Sequence, residues 1–275
     1  MQKLDRLGWA AGISIRAFGV RIGVRVNDAD ALRGLEAYFP PSWQPASSSV
    51  VDLLYSLVVG GAGARLGVRR FHLLYANASR LGRSLNLDDV YEGFEHYLHL
   101  HVAELARRRL FVHAGVVAWK GRAIVLPGHS RAGKSSLVAA LVRAGAAYYS
   151  DEYAVLDAQG RVYPYPRPLS LRHGDGTIRT RHSAAELGWR PGTSPLPVGL
   201  VAVTEYTAGA TWRPRRLSPG RGTLALLANT VAARHRPAQT LTTLQRVAGQ
   251  ATLIKSHRGE AEAVARRLLE MLDSG

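Results

Sequence analysis

The chain has 275 residues, 47% of them hydrophobic, which is enough to bury a real core in one or two domains and argues against wholesale disorder. It contains no cysteine, which excludes a disulfide scaffold, cysteine-ligated zinc and a thiol nucleophile. The formal net charge is +16, from 36 Lys+Arg against 20 Asp+Glu, and only four of those cations (Lys3, Lys120, Lys134 and Lys255) are lysine.

Such a charge suits an anionic partner. The arginine bias, with abundant alanine, also follows from a GC-rich coding sequence. The basic runs Arg107-Arg108-Arg109 and Arg213-Pro214-Arg215-Arg216 are not interleaved with aromatics. A solvated basic surface is therefore preferred to a nucleic-acid surface. No uninterrupted apolar core follows the charges at residues 1–6, and the most apolar stretch, residues 50–64, holds Asp52 and three glycines. That stretch is too short for a membrane span, and a cytoplasmic location is expected.

Ile13, Ile15, Phe18, Val20, Ile22, Val24 and Val26 alternate with arginine and glycine, which predicts a half-buried hairpin. Residues 29–38 predict a short helix stopped by Pro40-Pro41, and residues 50–59 and 70–77 predict further strands. Asn86 can cap a helix whose first turn carries Asp88 and Asp89, where the helix dipole favours negative charge. Leu87, Val90, Phe94, Tyr97, Leu98, Val102 and Leu105 then form one apolar stripe at three- and four-residue spacing. This helix is expected to link a small α+β N-terminal region, residues 1–109, to a larger domain, residues 110–275. His96, His99 and His101 with Glu95 invite a metal reading. Because His101 is rotated away and no fourth ligand is evident, a surface histidine cluster is expected instead.

From Leu110 the texture changes. Residues 111–118 and 122–127 predict two strands joined at Lys120-Gly121, then a glycine-rich loop and a helix over 135–144 closed by Gly145. A strand over 147–150 leads into Asp151-Glu152, and a hairpin over 154–163 turns at Gln159-Gly160. Near the C-terminus Ala261, Val264, Leu268 and Leu272 share one face of a packing helix. The layout predicts an α/β domain with a central sheet.

The loop Gly128-His129-Ser130-Arg131-Ala132-Gly133-Lys134-Ser135 matches G-x-x-x-x-G-K-[ST] in full, with a strand before it and a helix after. Its glycines let backbone N–H groups, continuing to Ser136, turn toward phosphate oxygens at the positive end of the helix. Lys134 is expected to reach the β- and γ-phosphates of ATP, and the Ser135 hydroxyl to bind Mg²⁺. Arg131 either touches phosphate or faces solvent. In a chain that nearly always uses arginine, a lysine at this position is informative. Asp151 and Glu152, at a strand end, can take the proton of an acceptor hydroxyl and hold Mg²⁺.

The stretch from His113 through Asp151-Glu152 resembles the catalytic domain of HPr kinase/phosphorylase, whose fold is related to phosphoenolpyruvate carboxykinase. Val112-His113-Ala114-Gly115 resembles that family's histidine segment, residues 128–135 its phosphate loop and Ser150-Asp151-Glu152 its paired acids. Leu169-Ser170-Leu171-Arg172-His173-Gly174 and Ser218-Pro219-Gly220-Arg221 echo its downstream segment and its proline-glycine-arginine loop. The resemblance covers roughly residues 110 to 235. It implies that His113 orients or tunes Asp151, and that Arg221 balances charge on the transferring phosphoryl group. Ser170 departs from the family's metal-binding glutamate, with Asp175 as the candidate substitute.

The first hundred residues do not read like the family's own N-terminal domain, so recognition of HPr and phosphorylase activity are not implied. The chain looks more like stand-alone HPr-kinase-like proteins, some of which phosphorylate a serine on a ribosomally made peptide such as a lasso-peptide precursor. The expectation is an ATP- and Mg-dependent serine kinase acting on a peptide or protein, with an acidic substrate suiting the charge and a homo-oligomer common in the fold. The alternative is a P-loop ATPase serving as a switch or nucleotide-dependent binding module.

Overall fold

A computed structural model describes residues 2–60, 70–128, 133–173 and 178–274, with side chains described except at residues 2–3, 169–173 and 178–181. The chain divides into two compact units, Met1–Arg107 and Arg108–Gly275. The division falls two residues before the boundary expected from the sequence. Both units are mixed α/β.

The first unit runs α1 (Gln2–Asp5), β1 (Ala11–Ala17), β2 (Val20–Val26), α2 (Ala29–Glu36), β3 (Gln44–Pro45), β4 (Leu53–Val58), β5 (His72–Ala76), β6 (Ser79–Ser84) and α3 (Leu87–Leu105). Its six-stranded sheet has the order β3-β1-β2-β4-β5-β6. The sheet is mixed: β2 and β4 are parallel, and the other pairings are antiparallel. Ile15, Ile22, Val24, Tyr55, Leu57 and Leu74 are buried, as the two-residue alternation requires.

Helix α3 starts as its sequence dictates, with the Asn86 side chain accepting the Asp88 N–H. Phe94, Leu98 and Val102 are fully buried, and the Phe94 ring meets Tyr55 edge-on at 5.0 Å. The helix is thus part of this unit's core, and it is the last element before the division at Arg107. His99 is 2% exposed and its Nε2 lies 3.2 Å from the Tyr38 carbonyl, while His101 Nδ1 lies 2.6 Å from Tyr55 Oη. The predicted surface histidine cluster is therefore corrected: these two rings are built into the packing, because the apolar stripe of α3 is broad enough to carry them inward.

The second unit runs β7 (Leu110–Trp119), β8 (Arg122–Pro127), α4 (Lys134–Arg143), β9 (Ala147–Ser150), β10 (Tyr153–Leu156), β11 (Arg161–Tyr163), β12 (Leu169–His173), β13 (Ile178–His182), β14 (Leu196–Tyr206), β15 (Arg215–Arg216), α5 (Pro219–Leu227), α6 (Pro237–Gln250), β16 (Thr252–Arg258) and α7 (Ala261–Asp273). Its main sheet has the order β11-β10-β7-β8-β14-β16-β15, with β9 also on β7; β12 and β13 form a separate hairpin. Ile124 and Leu126 pack with Leu137, Leu141, Val264 and Leu268 of α4 and α7. Ala123 and Val125, pointing the other way, pack with Leu226, Leu244 and Val247 of α5 and α6. The result is a sheet covered by helices on both faces.

The parallel strands β8, β14 and β16 end at the same edge of this sheet. Beyond the last β8–β14 pair, Val125 with Val201, the β14 and β16 strands run on in register to Tyr206 and Arg258. Open α/β sheets bind ligands at this carboxyl edge. Among the described residues no helix is long and apolar enough to cross a membrane.

Candidate functional site

The loop that leaves β8 is fixed at both ends. The Gly128 N–H donates to the His113 carbonyl of β7 at 3.3 Å. Gly133 has φ 74°, a left-handed conformation that suits glycine, and it is the N-cap residue of α4, its carbonyl accepting the Leu137 N–H at 3.2 Å. His129, Ser130, Arg131 and Ala132 lie outside the described residues. Helix α4 can approach β7 because Gly115 has no side chain: a Cβ there would stand 2.5 Å from Val138 Cγ2.

Lys134 Nζ reaches back along the loop and donates to the Gly128 carbonyl at 2.7 Å. Burial holds its ammonium below the ordinary lysine value, against the opposing pull of Glu152 and Asp151. Ser135 Oγ donates to Asp151 Oδ2 at 3.1 Å. Ser136, one residue on, is exposed.

Asp151 and Glu152 sit at a break in a strand. Strands β9 and β10 are two halves of one antiparallel run along β7, with Ser150 opposite Val116 and Tyr153 opposite His113. Between them Ser150 Oγ accepts the N–H groups of Glu152 at 3.1 Å and Tyr153 at 3.0 Å, a serine turn, while the Glu152 carbonyl still accepts the Ala114 N–H of β7 at 3.1 Å.

Asp151 turns inward to Ser135, and its Oδ1 is buried with no hydrogen-bond partner among the described residues. Burial pushes its carboxyl up to about 6; Glu152 adds to the rise, while Ser135, Lys134 and Arg167 oppose it. Glu152 stays half-exposed, with Oε1 3.5 Å from His113 Nδ1 and Oε2 3.9 Å from Arg167 Nη1.

Two sequence-based roles need correction. His113 was predicted to tune Asp151, yet the carboxylate it pairs with is Glu152. The register sets His113 opposite Tyr153, next to Glu152, whereas Asp151 faces the other way toward α4. The Ser218-Pro219-Gly220-Arg221 segment was read as a loop but opens helix α5: Ser218 Oγ accepts the Arg221 N–H at 3.4 Å and Pro219 fills the first turn.

Arg221 is exposed. The opposite end of that helix reaches β7, where the Asn229 carbonyl accepts the His113 N–H at 2.7 Å. At 1.5 Å rise per residue, about 12 Å separates the two ends. Among the described contacts, Arg221 makes none with Lys134, Ser135, Asp151 or Glu152.

The arginine that the fold does bring to the acids is Arg167, which the sequence reading passed over. It sits in Tyr163-Pro164-Tyr165-Pro166-Arg167-Pro168, and Tyr148 Oη donates to its carbonyl at 2.8 Å. The signal was the alternating proline, which holds the backbone extended and pins the single cation it carries. Arg258, at the end of β16, was missed as well; its Nη2 donates to the Gly133 carbonyl at 2.6 Å. Ser170 lies on β12 with its side chain outside the description, and Asp175 falls outside the described residues.

The donor set suits magnesium. Ser135 Oγ, Asp151 and Glu152 are hard oxygen donors, and the orphaned Asp151 Oδ1 is an acceptor awaiting a partner. Among the described residues no group of three or more His, Cys, Asp or Glu could hold a metal ion. No protein-family model matches the chain, and no curated protein matches it.

Proposed function

We propose that this chain is an ATP- and Mg-dependent kinase that transfers the γ-phosphate to a serine hydroxyl of a peptide or protein, and that its second unit is a P-loop kinase core of the HPr kinase type. The observation that carries the reading is the 3.1 Å bond from Ser135 to Asp151. It sets a buried acid beside the residue of the loop motif that faces the metal and phosphates. A carboxyl near 6 can accept a proton at neutral pH more readily than an ordinary aspartate.

The acceptor Oγ–H gives its proton to Asp151. Its oxygen bonds to the γ-phosphorus as the bond from that phosphorus to the β–γ bridging oxygen breaks, leaving ADP. Lys134 and the loop amides hold the phosphates, and Lys134 and Arg167 supply positive charge around the transferring group. Magnesium, held by Ser135 with one of Asp151 or Glu152, would shield the phosphate charge. His113 fixes Glu152 in place through their contact at 3.5 Å and ties the loop's first glycine through its carbonyl. The excess positive charge favours an acidic peptide, including precursors of ribosomally made natural products.

The test is incubation with γ-labelled ATP and acidic serine-containing peptides. Label is expected on a peptide serine. Label recovered only as free phosphate, across a panel of acceptors, would replace the kinase reading with that of a nucleotide-hydrolysing switch.

A further inference from the structure

Arg258 is buried to 1% exposure, the largest of the fully buried side chains. Burying a guanidinium is costly unless a carboxylate pairs with it. Here the hydrogen bonds go to two backbone carbonyls, Nη2 to Gly133 at 2.6 Å and Nη1 to Gly259 at 2.9 Å. Its Nε is buried with no partner among the described residues. The acids that act on it at a distance are engaged elsewhere: Glu260 accepts from Tyr206 Oη at 3.1 Å, and Glu262 pairs with Arg143 at 2.7 Å. The Tyr206 ring lies 5.5 Å from the guanidinium and shields one side of it.

This cation is placed where a cation is least welcome. Gly133 is the N-cap of α4, so the guanidinium stands at the positive end of the helix, whose first residue, Lys134, carries a half-buried ammonium of its own. An anion in the loop relieves all three at once.

The hydrogen bond also has a mechanical consequence. The peptide joining Gly133 to Lys134 is planar and trans, so gripping its carbonyl from the helix side aims the Lys134 N–H toward the loop. The glycine is needed for that grip: a Cβ at position 133 would run into Arg258 Nη2.

We propose that Arg258 is a positioning residue for the phosphate loop, clamping Gly133 and balancing its own buried charge against a polyphosphate held there. The inference rests on the reading that residues 128–135 bind phosphates. The ligand class is a nucleoside di- or triphosphate or the bare polyphosphate chain, since nothing in the contact reads a base.

Calorimetric titration of the full chain with magnesium tripolyphosphate and with magnesium ATP tests it, alongside Arg258→Met and Arg258→Lys. Arg258→Met is expected to lose at least tenfold in affinity for both ligands. Arg258→Lys keeps the charge but not the fork, and should lose less. The KM for ATP should rise by the same factor, with kcat at saturation changing less than threefold. Melting without ligand gives the temperature below which each variant is folded; titration there separates binding from stability, and the lysine variant serves if the methionine variant does not fold. Unchanged affinity in the folded variants would reduce Arg258 to a packing residue while leaving the kinase reading intact. A wild-type chain that binds neither ligand would overturn the phosphate-loop reading and this inference together.

Discussion

Ser135 Oγ and Asp151 Oδ2 stand 3.1 Å apart although 16 residues of sequence separate them, because α4 carries the chain away from the loop and β9 returns it to the same edge. On the proposed reading, Asp151 is the acid that receives the acceptor's proton. Asp151→Asn keeps the shape and the hydrogen bond but removes the base. Phosphoryl transfer should fall by about 100-fold or more, the range of a lost general base, while affinity for ATP changes less than about threefold. Single-turnover transfer and calorimetry on the same preparation check both halves, and unchanged turnover would remove Asp151 from the mechanism.

The same carboxyl makes stability depend on pH. Its folded value, about 6, is above the 3.8 of an exposed aspartate, so the folded state holds the proton more tightly than the unfolded chain does. Without magnesium, the buried charge should destabilise the protein at pH 7 by about 2–3 kcal/mol. That penalty disappears as pH falls from above 6 toward 4. Denaturant melts in chelator should show wild type gaining on Asp151→Asn over that window, with the curves parallel above pH 7.5. A gap that widens in the opposite direction would show the carboxylate to be stabilised by the fold.

The parts of the fold legible in sequence are those set by local rules. The caps, the two-residue alternation in β1 and β2 and the passage from strand β8 to helix α4 could be placed because each is decided within a few residues. What could not be read depends on register between distant strands. Whether His113 faces Asp151 or Glu152 is fixed by the serine turn at Ser150 and by the pairing of β7 with β10. Arg167 and Arg258 are two among many arginines, and only tertiary contacts separate them from solvated ones. The segment at Ser218 was misread because a capping serine followed by proline and glycine looks the same at a helix start as in a loop.

Gly115 tests the packing that brings α4 onto β7. Its missing Cβ leaves room for Val138 Cγ2, which would otherwise lie 2.5 Å away. Gly115→Ala should destabilise by about 1–3 kcal/mol through overpacking. Val138→Ala removes the colliding methyl groups, so the double variant should be more stable than the sum of the single effects by about 1 kcal/mol or more. Additive effects in chemical denaturation would show that the helix is not held this closely. Gly249, on α6 with open space around it, is the control: Gly249→Ala should stabilise by roughly 0.5–1 kcal/mol.

The two candidate arginines separate the sequence reading from the structural one. Arg221 is exposed in the first turn of α5, whereas Arg167 has a largely buried side chain (18% exposed) with Nη1 3.9 Å from Glu152 Oε2. A cation that offsets charge on a transferring phosphoryl group acts most strongly where water is excluded. Arg167→Ala should therefore lower kcat by about 10- to 100-fold. Arg221→Ala should leave kcat within about twofold, as a surface charge screened by water does. Arg167→Lys distinguishes charge from shape: recovery of most of the lost rate would assign the effect to the positive charge, and no recovery to the guanidinium fork beside Glu152. If Arg221→Ala instead proved the damaging change, α5 would have to turn its N-terminus toward the loop during turnover, since its C-terminal end is the one tied to His113.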